Sequence, residues 1–338
     1  MKKLSLLLSI GLLMAACNGH DTNAKQEEAS ILKKPPYAAL TDSIHHSSGK
    51  DDQAGLYYRR AELLSRNDLH ELAAADFQKA WDLHPDEATG LRYAATLTII
   101  SRLREATRVL QECRKKFPAN ASFSNMLGDL YLQAGQTKEA LQLYNDMLRA
   151  DSLNFEAWYE KGLLLEKTQD TAAALEALRK AYALQPVNTY ALELAHLYAE
   201  NRNGAAIELC DAVLRKDSAH ELIDPLFIKG IYYSNTGQSK QAIVQFDSCI
   251  GRDWKFTDAY LEKGIVLFHE KKYAAASDVF QMTVKVSNSY PDGYYWLGRC
   301  YEATGHKEEA ILFYQRALGL DKDFTEAREA IQRLKKSL

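Results

Sequence analysis

A small residue recurs through this 338-residue chain at Ala61, Ala94, Gly128, Gly162, Ala195, Gly230, Gly264 and Gly298. The intervals are 33, 34, 34, 33, 35, 34 and 34 residues. A series of alanines keeps step with it, at Ala73, Ala106, Ala140, Ala174, Ala206, Ala242, Ala276 and Ala310. Two series with one period mean that one supersecondary unit is repeated along the chain.

The last copy, Trp296 to Asp321, shows what the unit is. Tyr294, Leu297, Gly298 and Tyr301 share one face of a first helix, and Ala310, Tyr314 and Ala317 share one face of a second. These are helical spacings with one apolar stripe each. Gly305-His306-Lys307 supplies the turn between them. Gly298 and Ala310 let the helices approach, and Leu297, Tyr301 and Tyr314 fill the space around them. A hairpin this small buries its apolar face only against neighbours of its own kind.

A 34-residue helix–turn–helix with this small/large pattern resembles the tetratricopeptide repeat (TPR), over about residues 54 to 338. The resemblance implies an all-α fold, a right-handed α-solenoid of about eight hairpins. The units start near residues 54, 87, 121, 155, 188, 223, 257 and 291. Phe324 to Leu338 then reads as a capping helix. Its Ala327, Ala330, Ile331 and Leu334 face one way, and its outer face is charged. Tyr37 to His46, with Tyr37, Leu40 and Ile44 on one stripe, reads as a short helix over the opposite end. The prolines agree with the map. Pro85, Pro118 and Pro186 end units, and Pro225 and Pro291 begin first helices, where a missing N–H costs little. Gly135, Gly237 and Gly305 fall in turns. Around Ser218 to Ile223 the link between the fifth and sixth units is longer, which predicts a local change in helix stacking.

Before the repeats, Lys2 and Lys3 precede an apolar run from Leu4 to Leu13, too short to span a bilayer, and Ala15-Ala16 precede Cys17. Residues 1–16 read as a secretory signal peptide. Leu13 to Cys17 resembles a bacterial lipobox, with Met14 where Leu is usual. The resemblance implies a lipoprotein, with acyl chains such as palmitate on Cys17 holding the chain on a membrane. Residues 17–36 are polar and read as a flexible tether, so the solenoid is expected over 37–338. In lipoproteins of the kind this segment resembles, Asp after the cysteine retains the protein in the inner membrane, so with Asn18 the resemblance implies the outer membrane of the cell envelope.

Composition narrows the function. The formal charge is −3, and −5 without Lys2 and Lys3, so nothing suggests nucleic-acid binding. No phosphate-binding glycine loop, His-Glu-x-x-His or Cys-x-x-Cys appears, and the chain reads as a non-enzyme with no cofactor and no metal. His45 and His46 are adjacent on a helix, about 100° apart, and do not chelate together. Cys113, Cys210, Cys249 and Cys300 fall in separate units. Free thiols are expected, with a Cys210–Cys249 disulfide as the alternative.

The TPR resemblance places the concave groove on the first helices, one stripe round from the packing face. There the chain has Tyr159, Leu163, Leu192, His196, Phe227, Ile231, Leu261, Ile265, Phe268, Tyr295 and Arg299. Glu156, Glu160, Glu193, Asp224, Asp258, Glu262 and Asp292 run beside them as an acidic rim. An apolar floor with an acidic rim suits an amphipathic, basic peptide or helix of another protein. Two plainer readings stand beside it, that part of the stripe is core and that the acids are a solvated face near helix starts. Repeats that clamp a chaperone's C-terminal carboxylate use Lys and Asn in successive units. Here Tyr58 and Glu62, Leu91 and Ala95, then Asn125 and Asp129 stand there, so no such clamp is expected. The function expected is a membrane-anchored interaction scaffold in the bacterial envelope. The alternatives are a self-associating structural component or an accessory subunit of an envelope enzyme or secretion machine.

Overall fold

A computed structural model describes residues 30–336. The signal segment, Cys17 and the first part of the tether lie outside the described residues. Within them the regular structure is helical, with no strand. The chain divides into two compact units, one through Met147 and one from Leu148.

In the first unit α1 (Ala38–His46) precedes three hairpins: α2 (Lys50–Ser65) with α3 (His70–Leu83), α4 (Glu87–Ile99) with α5 (Leu103–Lys116), and α6 (Ala121–Gln133) with α7 (Thr137–Ala150). The boundary falls inside α7. Tyr37 and Ile44 are buried against the first hairpin, as their stripe predicts. Residues 30–36, assigned to the flexible tether from their polarity, instead carry helical and turn structure. Ile31 and Leu32 are half-buried, and the buried Thr41 hydroxyl donates to the Leu32 carbonyl at 2.8 Å. The first hairpin also begins at Lys50 rather than near 54.

The second unit holds α8 (Phe155–Lys167) with α9 (Thr171–Leu184), α10 (Asn188–Glu200) with α11 (Ala205–Leu214), α12 (Asp224–Asn235) with α13 (Ser239–Arg252), α14 (Thr257–His269) with α15 (Tyr273–Val286), and α16 (Pro291–Ala303) with α17 (Lys307–Leu320). The capping helix α18 (Thr325–Lys335) closes it, burying Ala327, Ala330, Ile331 and Leu334 on α17. Several first helices start at side-chain caps. Asn154 accepts from Ala157 N at 2.8 Å and Asp86 from Thr89 N at 3.0 Å, each satisfying an amide the helix leaves open.

The marker residues are small because a large one faces them. Gly128 lies against Tyr144, Gly162 against Leu178, Gly230 against Phe246, Gly264 against Phe280 and Gly298 against Tyr314. The alanine series is fully buried from Ala73 to Ala310. Filling the space left by the glycines with Phe or Tyr is worth about 1.5–3 kcal/mol per fully buried side chain.

A third periodic series becomes visible only in the backbone. The residues with positive φ in the hairpin turns are Asp68, Ser101, Gly135, Gln169, Arg202, Gly237, Lys271 and Gly305. Their spacing is that of the marker residues, step for step. Every turn is left-handed at one position, and only three of the eight carry the glycine that advertises it.

The longer link falls where the spacing puts it. Helix α11 has 10 residues where α9 and α13 have 14. The chain then turns around the buried Asp217, which accepts from Glu221 N at 3.1 Å, Leu222 N at 3.0 Å and Arg252 Nη1 at 3.2 Å. The stacking changes there: α10 and α12 touch along much of their length, whereas α12 and α14, or α14 and α16, barely meet.

Candidate peptide-binding groove

The predicted groove positions from Tyr159 to Arg299 all belong to the second unit. None is fully exposed. Ile231 and Leu261 are buried at 8% and 9% exposure and belong to hydrophobic clusters of the core. Ile231 packs where α10 and α12 run close together, and Leu261 packs in the cluster of Phe280 and Leu297. The remaining nine are half-buried. Tyr159 stacks on Tyr190 with ring centroids 4.5 Å apart. Leu192 and Phe227 lean on the cluster around Phe246, and Phe227 also meets Phe256 edge-on at 5.2 Å. Ile265 and Phe268 rest on the cluster of Phe280 and Leu297, and Tyr295 lies 5.0 Å from Phe324. Leu163 is half-buried on α8, and the His196 ring nitrogen Nδ1 lies 3.9 Å from Glu166. The stripe is thus a floor whose lower side is core and whose upper side is open.

The rim separates into two kinds of acid. Glu156 and Asp224 are exposed, whereas Glu160, Glu193, Asp258, Glu262 and Asp292 are half-buried. Two lysines on these first helices reach the second helix of the preceding hairpin. Lys229 Nζ bonds Asp211 at 2.6 Å and Lys263 Nζ bonds Asp247 at 2.6 Å. Among the described residues Glu193, Asp258, Glu262 and Asp292 therefore form no ion pair with these cations. Asp258 instead accepts the Tyr290 hydroxyl at 2.7 Å.

Burial and neighbouring carboxylates act on several of these groups in the same direction. Burial pushes the Glu262 carboxyl up to about 7, with Glu200 and Asp258 adding to it. Burial also raises Glu166, where the nearby His196 opposes the rise and Glu193 and Glu200 add to it. Asp292 is raised by burial first, then by Asp321, Asp258 and Glu326. Burial, Glu193 and Glu160 together push the Tyr159 hydroxyl up to about 12. Burial first, and neighbouring carboxylates second, disfavour the charged forms of Glu262, Glu166 and Asp292, and a cation placed beside them would favour those forms.

Glu200 and Tyr190 were not among the predicted groove residues. Glu200 lies one helical turn beyond His196, so extending the same stripe finds it. Tyr190 is half a turn before Leu192, and only its stacking on Tyr159 reveals it. A separate apolar cleft of about 570 Å³ opens on the other side of α10, between Tyr182, Leu194, Tyr198 and Leu209. It has no counterpart in the sequence pattern.

The four cysteines Cys113, Cys210, Cys249 and Cys300 are free and buried, so Cys210 and Cys249 form no disulfide. Burial pushes each thiol up to about 12, which leaves them poor nucleophiles. His45 and His46 are exposed. Among the described residues no helix is long and apolar enough to cross a membrane.

Known proteins share this architecture. A tetratricopeptide repeat family model matches residues 100–154, 126–189 and 159–221, and a second tetratricopeptide repeat model matches 291–324. Tetratricopeptide repeats are thus found over residues 100–221 and 291–324. A tetratricopeptide repeat protein from Parabacteroides merdae, solved by crystallography, superposes with a TM-score of 0.63 at 18% identity, over 73% of this chain and 97% of that one. The type IV pilus biogenesis factor PilW superposes with a TM-score of 0.54 at 16% identity, over 63% of this chain and 97% of its own. These likenesses establish the fold, an α-solenoid of helical hairpins. In sequence, a DnaJ homolog subfamily C member 7 homolog from Schizosaccharomyces pombe is 23% identical over 333 residues, 91% of this chain and 65% of the relative. The chain spans less than two thirds of the length of the curated relatives it matches.

Proposed function

We propose that this chain is an adaptor that holds a basic, amphipathic segment of another protein on the first helices of its second unit. Tetratricopeptide repeat proteins are protein-interaction scaffolds. One observation carries the finer reading. The half-buried aromatic stripe runs beside Glu193, Asp258, Glu262 and Asp292, while Lys229 and Lys263 on these first helices are committed to Asp211 and Asp247. A segment with an apolar face and flanking Lys or Arg would cover the floor and neutralise the rim at once.

The same reading places the adaptor at a bacterial membrane. Its support is the sequence of residues 1–17, with a basic start, a short apolar run and small residues before Cys17. A lipid on Cys17 would anchor the chain to the envelope, with the outer membrane favoured by Asn18. PilW, a pilus biogenesis factor of similar fold, makes assembly of envelope machinery a role of the right kind. Replacing Cys17 with Ser tests the anchor. The variant should leave the detergent phase and the membrane fraction, and unchanged partitioning would exclude lipidation.

A further inference from the structure

A cleft of about 430 Å³ opens where the last hairpin meets the capping helix, and Arg299 stands on its wall. The Arg299 guanidinium lies over three rings at once, 5.2 Å from the centroid of Phe268, 5.2 Å from Trp296 and 5.9 Å from Tyr295. Its one hydrogen bond is a long one, from Nη1 to the Tyr295 hydroxyl oxygen at 3.3 Å. No carboxylate pairs with it among the described residues. The nearest in sequence, Glu302, is taken: Arg333 Nη2 donates to both its oxygens at 2.7 and 2.9 Å, and the Tyr314 hydroxyl donates at 2.7 Å.

A guanidinium stacked on aromatic faces is held rigid while its in-plane donors stay available, and a carboxylate takes two of them together. Rings on its faces lower the local dielectric and strengthen such a pair. The rest of the cleft sets the ligand's other charge. Glu326 and Glu329 line it from α18, and both are exposed. A dianion would face these two and Glu302, with Arg333 already committed, so phosphate is disfavoured. A carboxylate with a cation nearby fits both walls.

We infer that Arg299 receives a side-chain carboxylate, Asp or Glu, of the bound segment, and that a Lys or Arg one helical turn away on that segment reaches Glu326 and Glu329. This deepens the adaptor reading and rests on it. The single acid would fix the register of an otherwise basic segment along the groove. It differs from recognition of a free chain end, which needs no neighbouring cation.

The test is selection on the purified full chain from a random dodecapeptide library displayed internally, so that no free C-terminus is present, beside a second library with free C-termini. The internal library should yield apolar, basic peptides with one Asp or Glu about four residues from a Lys or Arg. For a synthesised winner, replacing its acid by the amide should weaken binding tenfold or more, the scale of one lost charge-assisted hydrogen bond. The protein variant Arg299→Gln should show the same loss and no longer distinguish acid from amide, and Arg299→Lys should restore part of it. Labelling with 5-fluorotryptophan, assigned by Trp296→Phe, should show the Trp296 resonance move on binding. An unchanged helical spectrum and melting temperature for Arg299→Gln exclude simple misfolding. Basic winners without an acid, or an acid preference that survives Arg299→Gln, would overturn the inference while leaving the adaptor reading intact. Enrichment only from the library with free C-termini would overturn it in favour of chain-end recognition. No enrichment from either library would sink both readings.

Discussion

Tyr314 lies so close over Gly298 that a methyl group on the glycine would sit 2.6 Å from Cε1 of the ring. The ring has little room to retreat, because its hydroxyl donates to Glu302 at 2.7 Å and its body is fully buried. The same glycine-against-large-residue contact recurs at Gly128, Gly162, Gly230 and Gly264. It is the physical content of the period in the sequence.

Gly298→Ala should therefore destabilise the protein, by about 1–3 kcal/mol, the usual cost of overpacking a core. Gly55 is the control. It lies inside α2 with nothing within 4 Å of the position a Cβ would take. Gly55→Ala should stabilise by about 0.5–1 kcal/mol through helix propensity. Denaturant titration of both variants checks the opposite signs. Equal effects would mean that helix propensity, and not the fit against Tyr314, governs the marker position.

The turns offer a second pair. Gln169 and Lys271 hold φ values of 64° and 61° without glycine's freedom. Gln169→Gly should stabilise by up to about 1 kcal/mol, by removing the Cβ clash of the left-handed conformation. Gly305→Ala, at φ 84°, should cost a similar amount. Thermal melts of the two variants suffice. A stabilising Gly305→Ala would contradict the turn geometry.

Glu262 makes stability depend on pH. Burial, then Glu200 and Asp258, push its folded carboxyl up to about 7, above the 4.5 of the free side chain. The folded state thus holds this proton more tightly than the unfolded state does. The stabilisation that the proton brings is fully present below 4.5 and is lost as pH rises through about 7. Glu262→Gln keeps the shape and never ionises. It should gain stability relative to the parent between about pH 5 and pH 8, by on the order of 2 kcal/mol. A difference that does not change with pH would show that neither burial nor Glu200 and Asp258 raise the Glu262 carboxyl. Binding of a basic segment should also release a proton near neutrality, so affinity should rise with pH through the same window.

How far the sequence could be read follows from what kind of interaction each feature is. The hairpins were legible because the contact between Gly298 and Tyr314 is local: the two residues lie 16 apart, and the pattern repeats. The capping helix was legible for the same reason. The groove was legible only in part. Whether Ile231 and Leu261 face solvent or core depends on how neighbouring helices pack around them, and no one helix carries that information. The turn residues Asp68, Ser101, Gln169, Arg202 and Lys271 were invisible because none is glycine, although their spacing was already implied by the markers. Least visible was the buried pair of Arg60 and Asp76, whose side chains keep 7% and 8% exposure. Arg60 Nε and Nη2 donate to Asp76 at 2.6 and 2.7 Å, and Nη1 donates to Thr41 at 2.8 Å. Each residue alone reads as a solvated charge, and only α1 folding over them takes both out of water.

The adaptor reading stands or falls on where a partner touches the molecule. A photoreactive amino acid placed at Leu163 or Ile265 on the half-buried stripe, and at Val244 or Leu312 on the outer faces of α13 and α17, addresses this in living cells. Val244 and Leu312 are exposed at 58% and 64%, so the outer probes are fully accessible. The groove account predicts crosslinks from Leu163 and Ile265 to one segment that mass spectrometry identifies as basic and amphipathic, weakened by Glu262→Lys, and none from Val244 or Leu312. Crosslinks confined to the outer positions, or joining two copies of this chain, would contradict it.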